Sequence, residues 1–197
     1  MIVRTGTAGD AAPVAELHRQ RIDEGFLSSL GPVFLRRLYR RAARSPHAFV
    51  LVADDGGRVV GFAAASPDLN RFYRTFLVRD GLVAVVGAAP RLMRSWPRVR
   101  ETLRYRHVGG GSGRDLPGAE ILAVAVEAGG GRRGTGRALV AAATTELARR
   151  GVPAVKVVTA AANTPAIRLY ERCGFTRRTR IAVHEGTPSE VMVWTPS

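Results

Sequence analysis

The stretch from Glu120 to Arg150 constrains this chain more than any other. An apolar run leads into a loop of glycine and arginine, and the loop leads into an amphipathic helix. Glu120–Val126 carries Ile121, Leu122, Ala123, Val124, Ala125 and Val126 without polar alternation, which predicts a central strand buried on both faces. Gly134–Arg150 reads as a helix with Leu139, Val140, Ala143 and Leu147 inward and a Glu146–Arg150 pair one turn apart. Between them lies Gly129-Gly130-Gly131-Arg132-Arg133-Gly134-Thr135-Gly136-Arg137. Glycines let the backbone turn sharply and approach a ligand. The helix start offers unpaired N–H groups and the positive dipole end, and the arginines add forked phosphate donors. A phosphate or pyrophosphate site is the reading, with a plain glycine-rich turn as the alternative.

One phosphate fold fails on the residues present, and a second, whose G-x-G-x-x-G pattern Gly129-Gly130-Gly131-Arg132-Arg133-Gly134 does match, is a weak reading. A P-loop needs Lys-Ser or Lys-Thr after its final glycine, and Gly136 is followed by Arg137-Ala138. A dinucleotide fold needs an acid at the end of the next strand, where Val157-Val158-Thr159-Ala160 has none.

The 197 residues are enough for one domain with its own core. The longest apolar run, 82–89, is too short to span a bilayer. The N-terminus has no signal-peptide core, and a cytoplasmic protein is the default. Cys173 stands alone, which excludes a disulfide framework or a cysteine-rich zinc site. The histidines at 18, 47, 107 and 184 share no metal-ligand spacing and read as surface or core residues, so no metal is assigned. The net charge of +14 rests on 30 basic residues, of which only Lys156 is a lysine. Such a field favours polyanions. The arginines are spread along the chain, so nucleic acid is an unlikely primary partner.

The N-terminal part reads as a strand at 2–5, a helix capped by Asp10, and a second helix opened by Gly31-Pro32. Val33, Phe34, Leu35, Leu38 and Tyr39 form the apolar face of that second helix, and Arg36, Arg37, Arg40, Arg41 and Arg44 take the other. Strands at 48–53 and 59–65 flank the hairpin turn Asp54-Asp55-Gly56-Gly57. Residues 67–118 have a different texture, with aromatics at helical spacing and a closing Gly109–Gly113 tract, and read as two or three helices. Strand 155–159, a helix with Thr164 as N-cap and Pro165 next, and a hairpin of 177–183 with 190–195 complete the chain.

Gly134-Thr135-Gly136-Arg137-Ala138-Leu139 after a strand, with Asn163-Thr164-Pro165-Ala166-Ile167-Arg168-Leu169-Tyr170-Glu171-Arg172-Cys173-Gly174-Phe175, resembles the GNAT superfamily of acyl-CoA-dependent N-acetyltransferases. The second stretch matches the family's N-x-x-A-x-x-x-Y-x-x-x-G-F pattern at every fixed position. The resemblance is strong over about 119–195, and the element order of 1–66 fits it. It implies an α/β (α+β) fold: a mixed sheet of six to seven strands, splayed at a cofactor cleft, flanked by helices, with 67–118 as a helical insert between strands 3 and 4. It also implies acetyl-CoA as co-substrate. Backbone groups of Val124, Ala125 and Val126 would hold the pantetheine arm. Gly131, Arg132, Arg133, Gly134, Thr135, Gly136 and Arg137 would hold the pyrophosphate, and Asn163 and Ala166 would line the cofactor. At Gly131 the family carries Arg or Gln, a departure that touches a side-chain contact and not the backbone cradle.

Transfer from a thioester to an amine needs a base for the ammonium, a donor for the forming oxyanion and a donor for the leaving sulfur. Tyr170 matches the family's tyrosine general acid. Glu120 stands fourteen positions before Gly134, the spacing of the glutamate base in histone-type members, and is the base candidate. The expected reaction is direct acetylation of a primary amine on a small molecule: an amino sugar, amino acid, antibiotic or biosynthetic intermediate. A protein or peptide acceptor and a non-catalytic acyl-CoA sensor are the alternatives. No membrane partner is expected, and a homodimer is left open.

Overall fold

The computed structural model describes residues 1–22, 31–76, 78, 116–128, 134–184 and 187–196. Seven strands form one sheet: β1 (Ile2–Thr5), β2 (Phe49–Asp55), β3 (Arg58–Ser66), β4 (Ala119–Val126), β5 (Val155–Ala160), β6 (Thr176–His184) and β7 (Thr187–Trp194). Their order is β1-β2-β3-β4-β5-β7-β6. Every neighbouring pair is antiparallel except the central one, β4 with β5. The parallel step is imposed by the crossover between these strands, helix α3 (Thr135–Arg149), which packs on β2, β3 and β4.

Helices cover both faces. On one side α3 and α4 (Thr164–Arg172) enclose a core that contains Ala63, Ala65, Ile121, Val157, Leu139 and Ile167. On the other side α1 (Ala11–Arg21) and α2 (Gly31–Ala42) enclose a core with Val14, Leu38, Phe62, Ala64 and Ala125. Residues 69–76 are also helical, and their Phe72 and Phe76 join this second core. The other helices expected within 67–118, and the glycine tract at 109–113, lie outside the described residues.

Several local expectations are corrected. Asp10 precedes α1 but makes no cap bond to it. Its carboxylate instead accepts from the Thr7 N–H at 2.7 Å, closing a capping box around the 3₁₀ turn Ala8–Asp10, and it binds Arg4. The cap of α4 is Asn163 and not Thr164, because the Asn163 side-chain oxygen accepts the Ala166 N–H at 3.2 Å. In α2, Val33 is 49% exposed, while Leu35, Leu38, Tyr39 and Ala42 supply the buried face. Glu146 does pair with Arg150 at 2.8 Å, and the Asp54–Gly57 turn has both glycines at positive φ.

The feature that positions the site is a bulge in β4. Along the β3–β4 ladder Ala65 faces Ile121, yet the next residue back, Ala64, faces Ala123. Leu122 is the extra residue. Ala119 and Ile121 belong to the α3/α4 core, whereas Ala123 and Ala125 belong to the α1/α2 core, so the side-chain alternation inverts at Leu122. A bulge bends its strand and raises the local twist. β5 does not follow the bend. It pairs with β4 only at Ala119↔Val155, Glu120↔Lys156 and Ile121↔Val157, although both strands continue. β4 stays on β3 as far as Val126, and β5 stays on β7 as far as Ala160. The sheet therefore forks above Ile121.

Candidate active site

Three elements converge on the fork. Residues 122–126 of β4 form one wall, with no partner from β5. The start of α3 lies directly against this wall: a Cβ built on Gly136 would stand 3.8 Å from Val126 and 3.3 Å from Leu169 of α4. Glycine at 136 lets the Leu169 side chain of α4 pack tightly on the start of α3. Gly134, at φ +73°, turns the chain into α3.

Among the described residues no side chain caps α3, and its first turn holds no acid. A helix start leaves its first N–H groups without intrahelical partners, and no carboxylate or hydroxyl of the described residues competes for them. That is the electrostatic setting an anion needs. Thr135 does not add its hydroxyl, which is buried and donates to the Met1 sulfur at 3.2 Å. Only its backbone faces the loop's role. Arg137 is exposed, and its charge partly opposes the burial that raises the Cys173 thiol. Gly131, Arg132 and Arg133 lie outside the described residues. Asn163 is exposed beside Ala166 at the start of α4, its oxygen engaged in the cap.

Tyr170 is buried in the α3/α4 core with its ring 5.5 Å from that of Phe175. The Asn163 cap and Gly174 at positive φ bound the short helix that carries it. Burial, with Cys173 nearby, pushes its phenol well above the ordinary value. Tyr170 is therefore a neutral hydroxyl at any physiological pH, able to donate.

Glu120 lies between Ala119 and Ile121, whose side chains enter the α3/α4 core, so it projects from the opposite face. Its Oε2 is 3.2 Å from the Lys156 ammonium on β5, and both side chains are 17% exposed. Lys156 also donates to the Pro117 carbonyl at 2.5 Å. The two candidate reacting groups thus sit on opposite sides of the sheet, with the fork between them. Val124 and Val126 turn toward the α3/α4 core and Ala125 toward the other.

Sequence reasoning missed Leu122, whose bulge no residue type announces, and Lys156, which reads as an ordinary strand lysine. The signal for Lys156 was its register: the parallel partner of Glu120 in the next strand.

A model of the acetyltransferase (GNAT) family matches residues 15–175. The chain belongs to that family. It is an acyl-CoA-dependent N-acetyltransferase, and its co-substrate is acetyl-CoA. Solved structures with the same fold include a GCN5-related N-acetyltransferase from Kribbella flavida, 19% identical over 99% of this acetyltransferase and 97% of that chain, TM-score 0.65. A ribosomal-protein-alanine N-acetyltransferase from Brucella melitensis is 16% identical over 100% of both chains, TM-score 0.64. An acetyltransferase from Bacillus anthracis, solved in complex with acetyl coenzyme A, is 14% identical over 81% of this chain and 68% of its own, TM-score 0.53. At these identities the likeness is one of fold. No match was found among the curated proteins.

Proposed function

We propose that this acetyltransferase moves the acetyl group from acetyl-CoA directly to the primary amine of a small molecule. The pantetheine arm lies in the fork and bonds to the β4 backbone at Val124, Ala125 and Val126. The pyrophosphate rests on the start of α3, at Gly134, Thr135 and Gly136, with Arg132, Arg133, Gly131 and Arg137 around it. Asn163 and Ala166 line the other wall. The amine approaches from the α1/α2 side. Glu120 takes a proton from the ammonium, directly or through water, because an ammonium has no lone pair. The amine nitrogen bonds to the acyl carbon as the carbon–sulfur bond breaks. Tyr170, from the α3/α4 side, gives its hydrogen bond and proton to the departing sulfur; the second proton shed by the acylated nitrogen returns through solvent to the Tyr170 phenolate, and Glu120 releases its proton to water. Such proton transfers contribute roughly 10²–10⁴-fold each.

The observation that carries the small-molecule reading is where the 67–118 segment leaves and rejoins the sheet. Ser66 pairs with Glu120, the Leu69 N–H donates to the Gly118 carbonyl at 3.3 Å, and Pro117 is tied to Lys156. The chain departs and returns beside Glu120, so the described ends of that segment border the acceptor side, which supports a small amine over a peptide that needs an open groove. A panel of amines incubated with acetyl-CoA, read by released thiol and product mass, tests this. A small amine should give the highest kcat/KM. An unstructured peptide that outperforms every small amine overturns the acceptor class. Tight acetyl-CoA binding without turnover of any amine favours an acyl-CoA sensor.

A further inference from the structure

We propose that the outer face of α2, with the adjoining face of the 69–76 helix, is a docking surface for an anionic lipid bilayer. The angular layout of α2 is the starting point. Leu35, Leu38, Tyr39 and Ala42 fill the core. At ~100° per residue the opposite stripe carries Val33, Arg36, Arg37 and Arg40, and Arg44 continues it in the closing turn.

Elsewhere several arginines meet acids, although Arg137, Arg172 and Arg178 have no carboxylate partner among the described residues. Arg4 binds Asp10 and Asp54, Arg58 binds Glu127, Arg149 and Arg150 share Glu146, and Arg180 binds Glu190. Among the described residues, none of Arg36, Arg37, Arg40 or Arg44 has a carboxylate partner. Cations set this close along one face repel one another, and an anionic surface relieves that repulsion.

The apolar residues decide which anionic surface fits. Four large hydrophobics are exposed among the described residues. Two are Met1 and Ile2 at the terminus, and the others are Val33 and Val78, at 49% and 82%. The Phe34 and Phe76 rings meet edge-on at 5.4 Å, which clamps the start of α2 to the 69–76 helix. Arg74, also exposed, lies one turn before Val78. A nucleic acid strand would use the guanidinium groups, but it would want aromatic rings for its bases, and among the described residues no exposed large hydrophobic is aromatic. A bilayer uses both kinds of residue: lipid phosphates pair with arginine, and aliphatic side chains enter the headgroup boundary. This is adsorption and not insertion. Among the described residues no helix is long and apolar enough to cross a membrane. The inference goes beyond the sequence expectation of no membrane partner and is independent of the acceptor proposed above.

Co-sedimentation of the full chain with vesicles tests it. Binding is expected to phosphatidylcholine vesicles containing about a third phosphatidylglycerol, and not to pure phosphatidylcholine. Arg36→Ser with Arg40→Ser should weaken vesicle affinity by roughly 25-fold, about fivefold for each charge. Val33→Ser with Val78→Ser should weaken it severalfold at the same salt dependence. A pair elsewhere that removes equal charge, Arg172→Ser with Arg178→Ser, should leave it within twofold. Unchanged melting temperature and acetyl-CoA calorimetry confirm that the α2 variants are folded. Absence of binding to the anionic vesicles, an equal loss from the Arg172/Arg178 pair, or tighter binding to single-stranded RNA than to vesicles overturns the proposal.

Discussion

Single side chains set the chemistry and part of the stability. Tyr170→Phe keeps the ring that packs on Phe175 and removes only the hydroxyl. It should lower kcat by roughly 10²-fold or more while acetyl-CoA affinity, measured by calorimetry, stays within a few-fold; an unchanged kcat would remove Tyr170 from the mechanism. His18 is a second informative residue. It is buried under α2, with Nδ1 2.5 Å from the Tyr39 hydroxyl and its ring stacked on Phe62. Burial pushes its pKa down from 6.5 to about 4. Between those values the unfolded chain takes up a proton that the folded protein refuses. The stabilisation is complete above pH ~6.5 and is lost as pH falls, by about 1.4 kcal/mol per unit and about 3 kcal/mol in all. Asp10 contributes separately and lower, since the Arg4 hydrogen bond holds its pKa at about 2. Denaturant unfolding at pH 7 and pH 5 should show the loss, and His18→Gln should flatten it; an identical slope in the variant would mean that another group is responsible.

At the level of elements, the two glycines that start α3 act differently: Gly134 serves its own backbone at positive φ, whereas Gly136 makes room for a neighbour. A methyl group at position 136 would press on Leu169 at 3.3 Å and drive α3 from α4 by a few tenths of an ångström. Gly136→Ala should therefore weaken acetyl-CoA binding several-fold with little change in kcat, and a calorimetric titration with unaltered affinity would contradict the placement of the pyrophosphate. The elements themselves were largely legible in the sequence. Gly134 and Gly174 punctuate helices, Asp54–Gly57 is a hairpin turn, and the unalternating run 120–126 marks a central strand, because each of these is a local choice of backbone. The fork was not legible from residue types. Leu122 is one apolar residue among six, and its role as the bulge comes from the register of β3 opposite it, a contact more than fifty positions away. Only the family resemblance carried the expectation of splayed strands. The caps were misplaced by a residue or assigned to the wrong helix because Thr7, Asp10, Asn163 and Thr164 are all competent capping side chains, and tertiary partners such as Arg4 chose among them.

The whole molecule adds a field to these contacts. With a net charge of +14 it attracts a polyanionic co-substrate over distances that salt can screen. Raising ionic strength from low to well above physiological should reduce kcat/KM for acetyl-CoA several-fold and leave kcat nearly constant; steady-state kinetics across a salt series would read this, and a salt-independent kcat/KM would limit the role of charge to solubility. The three residue pairs that join β4 to β5 have a mechanical meaning too. Strands 1–4 and strands 5–7 are two leaves hinged on a short spine, each leaf fully laced within itself. Whatever fills the gap between the leaves acts as a wedge that bonds to both, so saturating the protein with coenzyme should slow amide hydrogen exchange on either side of the hinge at once and sharpen its thermal unfolding.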